Sequence, residues 1–410
     1  MRLLVVTQYF WPENFRINDL VAELVRRGHQ VVVLTGWPNY PDGQVFDEFR
    51  DHPRDFDEYE GAQIVRVPLL PRGSGSVRLL LNYLTFAISA SLLGLWRLRV
   101  RGFDAIFAYE PSPITVGIPA GVFRSFKKAP LAFWVLDLWP ETLQAIGVVR
   151  SKMLLHLVGK LVASIYKRCD LILAQSKSFV PAIARYADRD ARIEYFPSWS
   201  DSVFDAADVE AATEIPVKQN SFNILFAGNI GEAQDFPSIL AAAERLKNYS
   251  NIRWLIVGDG RMAGWVAKEI KARGLEACVL MLGRYPVERM PSFFKHADVL
   301  LVSLRDEPIF ALTIPGKLQS YLAAGIPVLA MLNGEGAGVV RNAKAGLACP
   351  AGDARQLAQS VLELAAMSKN ERLLLGKNGY AYAQKEFNRK ALVDRLEKWF
   401  VELVDASRQQ

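Results

Sequence analysis

The sequence has few of the residues that build metal sites and disulfide frameworks. Among its 410 residues there are three cysteines and four histidines. The cysteines lie far apart with no CxxC spacing, and no two histidines have the spacing of metal ligands. These absences argue against a zinc site and favour a reduced, cytosolic compartment.

Other signatures are missing as well. There is no Gly-x-Ser-x-Gly motif, zinc finger, RNP-type aromatic pattern or basic repeat, so no nucleic-acid partner is predicted. Two aspartate pairs, residues 55 and 57 and residues 188 and 190, have DxD spacing but lie in charged, loop-like stretches, so we interpret them as solvated surface. The first apolar run is too short for a signal peptide and is predicted to be a buried strand.

Both halves of the chain alternate short apolar strands with amphipathic helices. A chain of this length exceeds what one hydrophobic core usually serves, so two domains of roughly 200 residues are expected. The alternation predicts an α/β fold with two Rossmann-like, doubly wound parallel sheets facing a central cleft. We place the domains at 1–200 and 201–385, with a C-terminal helix at 386–410 that returns toward the first domain.

The most informative segment is 311–330, where Pro315, Gly316 and Lys317 open a short apolar helix. The first turn of a helix has unpaired backbone N–H groups and partial positive charge, so it attracts anions. Gly316 lets the backbone approach a ligand closely, and Lys317 adds a point charge. The motif therefore predicts a phosphate site, with an ordinary helix start and a solvated lysine as the alternative.

Glycine turns follow three predicted strands of the second half. These turns contain Gly228 and Asn229, Gly258 and Gly260, and Gly283 and Arg284. Each turn alone is ordinary. Their recurrence ahead of Lys317 predicts that they bind a nucleotide diphosphate.

Positive charge is concentrated around one apolar segment of the first half. The net charge is +6, and residues 61–103 contain no acid but six arginines: Arg66, Arg72, Arg78, Arg97, Arg99 and Arg101. The uncharged stretch 79–96 is either a core helix or a membrane-surface helix, and less plausibly a transmembrane span. Because anionic lipids would suit the arginines, we predict a membrane contact through 78–101.

Motifs in both halves resemble a known family. The donor-binding half of family 4 glycosyltransferases, which have the GT-B fold, is similar to VGDGRMAGWVAKEIKARGL, MLGRYPVERMPSFFKHADVLLVSL and LQSYLAAGIPVLA. The subgroup that includes WbuB-like N-acetyl-L-fucosamine transferases is similar to TQYFWPE, LVAELVRRGHQVVVLTGWPNYPDG and VLDLWPETLQAIG in the first half.

This resemblance implies a retaining enzyme that needs neither metal nor cofactor. It would transfer a sugar, N-acetylated in that subgroup, from a UDP-sugar to an undecaprenyl-diphosphate-linked acceptor during synthesis of a bacterial surface polysaccharide. The implied location is cytoplasmic, at the inner face of the plasma membrane. In this arrangement the first domain binds the acceptor and the second binds the nucleotide sugar.

The sequence departs from the family at the diphosphate site. Leu312 and Ser320 stand where the wider family has two glutamates, and Asn229 and Gln234 stand where it has an arginine and a lysine. Charge neutralisation of the diphosphate must then come from elsewhere. The candidates are Lys317, Arg16 and Arg284. Ser320 could still bond a ribose hydroxyl.

Acids after apolar strands are the candidate catalytic groups. Asp137 follows a strongly apolar strand and could orient the acceptor hydroxyl or take its proton, with a helix cap as the alternative. Glu141 competes for that role, and Glu110 is a weaker candidate for contacting the acceptor. Glu307, in the loop before the Pro-Gly-Lys turn, could contact the donor sugar or be solvated.

Two other functions fit the same pattern. A UDP-sugar epimerase can share this fold, although the sequence lacks an obvious set of a histidine and an acid for proton removal. A non-catalytic, membrane-bound assembly protein would account for the missing glutamates.

Overall fold

The computed structural model describes residues 1–73, 75–145, 149, 151–200, 202–205 and 209–409. The chain divides into two compact units, one of Met1–Phe196 with Lys390–Gln410 and one of Pro197–Arg389. Sequence analysis placed these limits at 200/201 and 385/386, and residue 201 lies outside the described residues. Each unit contains one sheet with helices packed against it.

The first unit has an eight-stranded sheet in the order β3-β4-β2-β1-β5-β6-β7-β8, parallel except for β3. Its strands are β1 (Arg2–Val6), β2 (Gln30–Gly36), β3 (Glu58–Tyr59), β4 (Ala62–Val67), β5 (Ala105–Glu110), β6 (Leu131–Val135), β7 (Leu171–Ala174) and β8 (Ile193–Tyr195). The central strands are buried on both faces because helices cover them, as their continuous apolar sequences require. The strands β3 and β8 have two and three residues and are too short to show a periodicity in the sequence.

Among the described residues, eight helices of the first unit lie before Phe196, where the first part of this unit ends. They are α1 (Arg16–Arg26), α2 (Asp47–Asp51), α3 (Ser76–Ser89), α4 (Leu95–Arg97), α5 (Gly117–Lys127), α6 (Glu141–Ala145), α7 (Lys152–Tyr166) and α8 (Phe179–Ala184). A π-helical turn, Ala90–Gly94, joins α3 to α4, so the apolar segment forms one continuous helical rod.

The apolar rod combines a buried face with an exposed one. Tyr83, Phe86 and Ala90 are buried, and the Asn82 side chain accepts a hydrogen bond of 2.7 Å from Gln8 Nε2 after β1. Its outward face leaves large apolar side chains exposed: Val77, Leu80, Leu81, Leu84, Ile88, Leu92, Leu93 and Trp96. In the described part of the chain, Val77–Arg97 is the one helix long and apolar enough to cross a membrane, by length and composition alone.

The second unit has a six-stranded, all-parallel sheet in the order β11-β10-β9-β12-β13-β14. Its strands are β9 (Phe222–Ala227), β10 (Ile252–Val257), β11 (Val279–Gly283), β12 (Val299–Ser303), β13 (Val328–Met331) and β14 (Gly346–Cys349). Its helices are α9 (Phe236–Arg245), α10 (Ala263–Ala272), α11 (Met290–Phe294), α12 (Pro308–Leu312), α13 (Gly316–Ala323), α14 (Gly334–Ala343), α15 (Ala354–Ala366) and α16 (Lys369–Glu386).

The chain closes with three helices, and the first two, α15 and α16, are separated by a short break. Met367 is extended, and Ser368 begins α16 with a capping box in which its hydroxyl accepts from Glu371 N while the Glu371 carboxylate accepts from Ser368 N. These reciprocal hydrogen bonds start a new helix and separate α15 from α16.

The last helix, α17 (Arg389–Arg408), packs on the first unit. Its Phe400 ring meets Phe107 of β5 edge-on at 5.9 Å. Glu397 lies 2.6 Å from His29 Nε2 and also pairs with Arg27 at 2.5 Å. The helix is therefore held to the first sheet by both packing and charge.

Candidate active site

Glycine turns follow β9, β10 and β11 at adjacent carboxyl ends of the second sheet. They line one pocket of about 370 Å³, whose walls are formed by Gly228, Asn229, Val257, Gly258, Asp259, Gly260, Arg284, Tyr285 and Met290. Gly283 lies beside it, since its carbonyl accepts a hydrogen bond of 2.7 Å from Gly258 N. The structure therefore brings together the residues of the three turns that the sequence singled out.

Backbone crowding explains why these turns need glycine. A Cβ on Gly258 would lie 1.9 Å from the Gly228 carbonyl oxygen, and a Cβ on Gly260 would lie 2.4 Å from that of Ile230. Both glycines have positive φ, +145° and +157°, which L side chains rarely adopt. The pocket is thus lined by closely packed backbone, which suits a ligand that bonds peptide groups.

Gly258→Ala tests whether this crowding shapes the site. We expect the variant to lose at least about 2 kcal/mol of unfolding free energy, because the new methyl meets backbone that cannot move aside and φ is strained. Chemical denaturation measures this loss. The matched control is Gly264→Ala in α10, where no atom lies within 4 Å of the added Cβ. Equal stability of the two variants would contradict the close approach of β9 and β10.

The Lys317 side chain lies against the first of these turns. A Cβ on Gly228 would come within 2.5 Å of Lys317 Cε, and Lys317 Nζ lies 3.8 Å from the centre of the Phe226 ring at the end of β9. This Nζ is buried and has no hydrogen-bond partner among the described residues. Burial lowers its pKa to about 7. Lys317 is therefore not the solvated lysine of an ordinary helix start.

The N-terminus of α13 presents further unpaired polar groups. Its N-cap, Pro315, offers no side-chain cap to the first N–H groups of the helix. Gln319 is 1 % exposed, and its Oε1 has no partner among the described residues. Ser320 is also buried on this helix. Unpaired buried groups are costly unless a ligand completes them, so their concentration here points to a binding site.

Two other predicted residues of this unit take part in loop structure. Glu307 is the N-cap of α12, and its Oε1 lies 3.5 Å from Arg305 Nη2. Gln234 folds back so that its Oε1 accepts from Gly231 N at 3.1 Å, which closes the turn after β9. Gln234 thus shapes the glycine loop. Arg305, whose N–H bonds Ala233 O, is a further cation beside this loop that sequence analysis did not single out.

The first unit brings two carboxyl groups together at adjacent strand ends. Glu110 ends β5, Asp137 follows β6, and Asp137 N lies 3.4 Å from Glu110 Oε2. Glu110 is fully buried, and its Oε1 has no partner among the described residues. Burial, and then the nearby charge of Asp137, raise the pKa of Glu110 well above its usual value. Burial therefore favours the uncharged form of Glu110.

Asp137 differs from its neighbour in being partly exposed and in accepting hydrogen bonds from side chains. Its Oδ1 accepts from Thr142 Oγ1, and its Oδ2 accepts from Trp139 Nε1 at 3.2 Å. Burial raises the pKa of Asp137, and these donors oppose that rise. The pair therefore consists of a fully buried acid and a more accessible one that is oriented by Thr142, a residue that sequence analysis did not single out.

The remaining predicted residues of the first unit have structural partners. Glu141 Oε1 lies 3.0 Å from Arg185 and 3.4 Å from the Tyr186 hydroxyl, so this carboxylate is engaged in an ion pair. Arg16 opens α1, with its Nη1 3.6 Å from Asp19 Oδ2. Within the described chain, no group of three or more His, Cys, Asp or Glu side chains is close enough to hold a metal ion.

Glu13 is a structural residue that sequence analysis missed. Its buried carboxylate accepts from Phe10 N at 3.1 Å and from Asn39 N and Tyr40 N at 2.8 Å each. Burial raises its pKa to about 7 despite these donors. Glu13 thus joins the loop after β1 to the loop after β2, at the same end of the sheet as Asp137. A single acid in a Pro-containing loop gave no signal of this role.

Comparisons with known proteins cover both units. The model described as "Glycosyl transferase 4-like domain" matches residues 14–199, and the model described as "Glycosyl transferases group 1" matches residues 221–367. "Putative colanic acid biosynthesis glycosyl transferase WcaI" of Escherichia coli (strain K12) is 27 % identical over 341 residues, 79 % of this chain and 82 % of that protein. "Probable glycosyltransferase WbjE" of Pseudomonas aeruginosa is 26 % identical over 243 residues, 56 % of this chain and 59 % of that protein.

Solved structures agree with the architecture. Sucrose-phosphate synthase from Thermosynechococcus elongatus superposes with a TM-score of 0.73 at 15 % identity, covering 99 % of both chains. Anabaena HepE, in complex with UDP and glucose, has a TM-score of 0.67 at 13 % identity, covering 98 % of this chain and 99 % of that one. At such identities the likeness concerns the fold, and it confirms the predicted α/β architecture of two parallel-sheet domains.

Proposed function

Since the chain belongs to the glycosyltransferases whose 4-like and group 1 models match its two units, and has the GT-B fold, we propose that it transfers a sugar from a UDP-sugar to a lipid-diphosphate-linked acceptor with retention of configuration. The observation that carries this proposal is the unpartnered Nζ of Lys317 beside the crowded Gly228 turn. A buried lysine without a carboxylate is suited to a ligand that brings negative charge.

The donor diphosphate lies at the N-terminus of α13 in this proposal. Backbone N–H groups of that helix and the Lys317 ammonium stabilise the charge that grows as the diphosphate leaves. Arg284, exposed at the pocket of the glycine turns, supplies a second cation. These groups are the protein's own source of positive charge, so we propose that transfer requires neither a metal nor a cofactor.

The acceptor hydroxyl is deprotonated by Asp137 in this proposal. The hydroxyl oxygen attacks the anomeric carbon on the face from which the diphosphate departs, so one C–O bond forms as the other breaks and configuration is retained. The hydroxyl proton passes to the Asp137 carboxylate, which Thr142 and Trp139 hold in position. Glu110, whose pKa burial raises, serves as a buried support of Asp137 through its contact with Asp137 N.

The biological setting follows from the relatives. One relative carries a name in colanic acid biosynthesis, and a neighbour of similar fold is titled as a glycosyltransferase involved in lipopolysaccharide biosynthesis. We therefore place this chain in the assembly of a bacterial surface polysaccharide on undecaprenyl diphosphate. The WbuB-like resemblance of the first half favours an N-acetylated amino or deoxyamino sugar as the donor.

A mass-spectrometric screen tests the proposal. UDP-sugars are incubated with short lipid-diphosphate sugars, and products are sought at the mass of acceptor plus one sugar. A changed sugar in reactions without acceptor would instead indicate an epimerase. Failure to bind any UDP-sugar in calorimetry would indicate a non-catalytic assembly protein and overturn the transferase proposal.

We also propose that the enzyme is cytoplasmic and binds the inner face of the plasma membrane through 78–101. The exposed apolar face of the rod supports this, because Ile88, Leu92 and Trp96 are each about 60 % exposed. Exposed apolar patches of this kind mark interaction surfaces, and arginines flank this one as an anionic lipid surface requires.

Ile88→Glu with Leu92→Glu tests this contact. We expect vesicle affinity to fall at least about 10-fold, because two side chains that would enter the interface gain a charge that anionic lipids repel. Flotation with phosphatidylglycerol-containing vesicles measures it. The matched control is Val217→Glu with Leu374→Glu, two exposed apolar positions of the second unit. Equal flotation of the two double variants would place the contact elsewhere.

A further inference from the structure

A second cavity of about 530 Å³ lies in the first unit beside β4, which β2 and β1 separate in the sheet from β5 and β6 and the acids at their ends. Strand β4 and the C-terminal end of the apolar rod form its walls, with Trp37 and Arg54 contributed by loops. Among the described residues that line it are four arginines, Arg54, Arg66, Arg97 and Arg101, and a single acid, Asp57. The cavity is therefore strongly basic.

Arg66 gives this cavity a buried positive charge. The residue is 5 % exposed, and its guanidinium donates only to backbone carbonyls, those of Gly36 at 3.1 Å, Phe56 at 3.4 Å and Trp11. Burial lowers its pKa to about 10, which leaves it charged at neutral pH. Carbonyl dipoles satisfy the N–H groups but carry no net charge, so the charge of Arg66 is not cancelled by a bonded carboxylate.

Arg97 and Arg101 are likewise bonded to neutral groups. Arg97 Nη1 donates to the Arg66 carbonyl oxygen at 2.6 Å, and Arg101 Nη1 donates to Gln63 Oε1. None of the ion pairs found in the described chain involves Arg54, Arg66, Arg97 or Arg101. A polar anion that enters the cavity would therefore meet several guanidinium groups that are not already in an ion pair.

One side chain connects the basic cavity to the apolar face of the rod. Leu93 lines the cavity and is 43 % exposed, between the exposed Leu92 and Trp96. A molecule that fits both surfaces must carry an anionic group beside an apolar one. Free phosphate satisfies the arginines alone, whereas a membrane phospholipid satisfies the arginines and the apolar face together.

We propose that this cavity binds the phosphate-bearing headgroup of an anionic membrane lipid while the apolar rod contacts the lipid interface. The inference rests on the membrane association proposed above and adds a specific headgroup site to it. Arg97 and Arg101 bond the phosphate oxygens, and buried Arg66 supplies a fixed charge at the base.

Arg97→Gln with Arg101→Gln tests the headgroup site. Flotation with vesicles of phosphatidylglycerol and phosphatidylcholine should show at least about a 10-fold weaker affinity than the unmodified protein, with thermal melting used to verify folding. The matched control removes the same charge at two exposed arginines of the second unit, Arg341→Gln with Arg355→Gln, and should lose less than about 2-fold. Equal losses would mean that net charge alone drives binding and would overturn the site.

A competition experiment on the unmodified protein provides a second measurement. Millimolar inorganic pyrophosphate should release the bound protein from these vesicles, whereas sodium chloride of the same ionic strength should release much less. Equal release by both salts would overturn the headgroup site. Absence of any vesicle binding by the unmodified protein would instead contradict the proposed membrane association, so the two failures are distinguishable.

Discussion

Lys317→Ala is expected to lower the rate of sugar transfer by about 10²–10³-fold while leaving the fold intact. In the proposed function this ammonium group stabilises the leaving diphosphate, and Nζ lies against Gly228 of the glycine-turn pocket with no hydrogen-bond partner among the described residues. Steady-state kinetics with the donor and acceptor from the product screen measure the effect. Circular dichroism reports on the fold.

The protonation state of Lys317 adds a pH dependence to donor binding. Burial lowers its pKa to about 7 in the free protein, whereas a bound diphosphate favours the ammonium form. Donor binding should therefore take up a proton above pH 7, and UDP affinity should fall as pH rises from 7 to 9, by up to about 10-fold per unit. Calorimetry in buffers of different ionisation enthalpy measures both effects.

Lys317→Met provides the matching stability measurement. Because the unfolded chain binds this proton up to about pH 10.5 and the folded chain releases it near 7, Lys317 makes stability rise with pH between those values. Methionine removes that dependence and should raise the melting temperature at pH 7 while abolishing UDP binding. The control is Lys268→Met at an exposed position of α10. Normal transfer by folded Lys317→Ala protein would refute the donor role.

The glycines after strands and the Pro-Gly-Lys start of α13 were predictable, because residues adjacent in the sequence are enough to mark them. Gly258 follows an apolar strand, and the sheet order places such strand ends at one edge. Gly316 begins α13 directly after Pro315. The burial of Lys317 Nζ was not predictable, because it depends on Phe226 and Gly228, about 90 residues earlier in the chain.

Tertiary contacts likewise decide the roles of the acids. Asp137, Glu141 and Glu110 look alike in sequence as carboxylates near strand ends. Only the structure pairs Glu141 with Arg185 and seals Glu110 from solvent. Short elements such as β3 escaped prediction for a related reason, since a two-residue strand exists only through its partner β4.

Asp137→Asn is expected to lower kcat by about 10²–10⁴-fold, because an amide cannot accept the proton of the acceptor hydroxyl. The substitution preserves size and the hydrogen bond from Trp139 Nε1, so UDP affinity and melting temperature should change little. Kinetics over a pH range measure the loss, and in the unmodified enzyme the acidic limb of the pH–kcat profile reports the titration of Asp137.

Glu110→Gln is the matched comparison for Asp137→Asn. Burial and the Asp137 charge raise the pKa of Glu110 and so favour its uncharged form, which glutamine matches in shape and charge. We therefore expect transfer within a few-fold of the unmodified enzyme. A loss as large as that of Asp137→Asn would mean that Glu110 works as an ionised base. Glu110→Ala, by contrast, leaves a cavity at a fully buried strand end and should destabilise the first unit by about 2 kcal/mol or more. If the Glu110→Gln protein is active and the Asp137→Asn protein is not, the loss at Asp137 is due to proton transfer and not to packing.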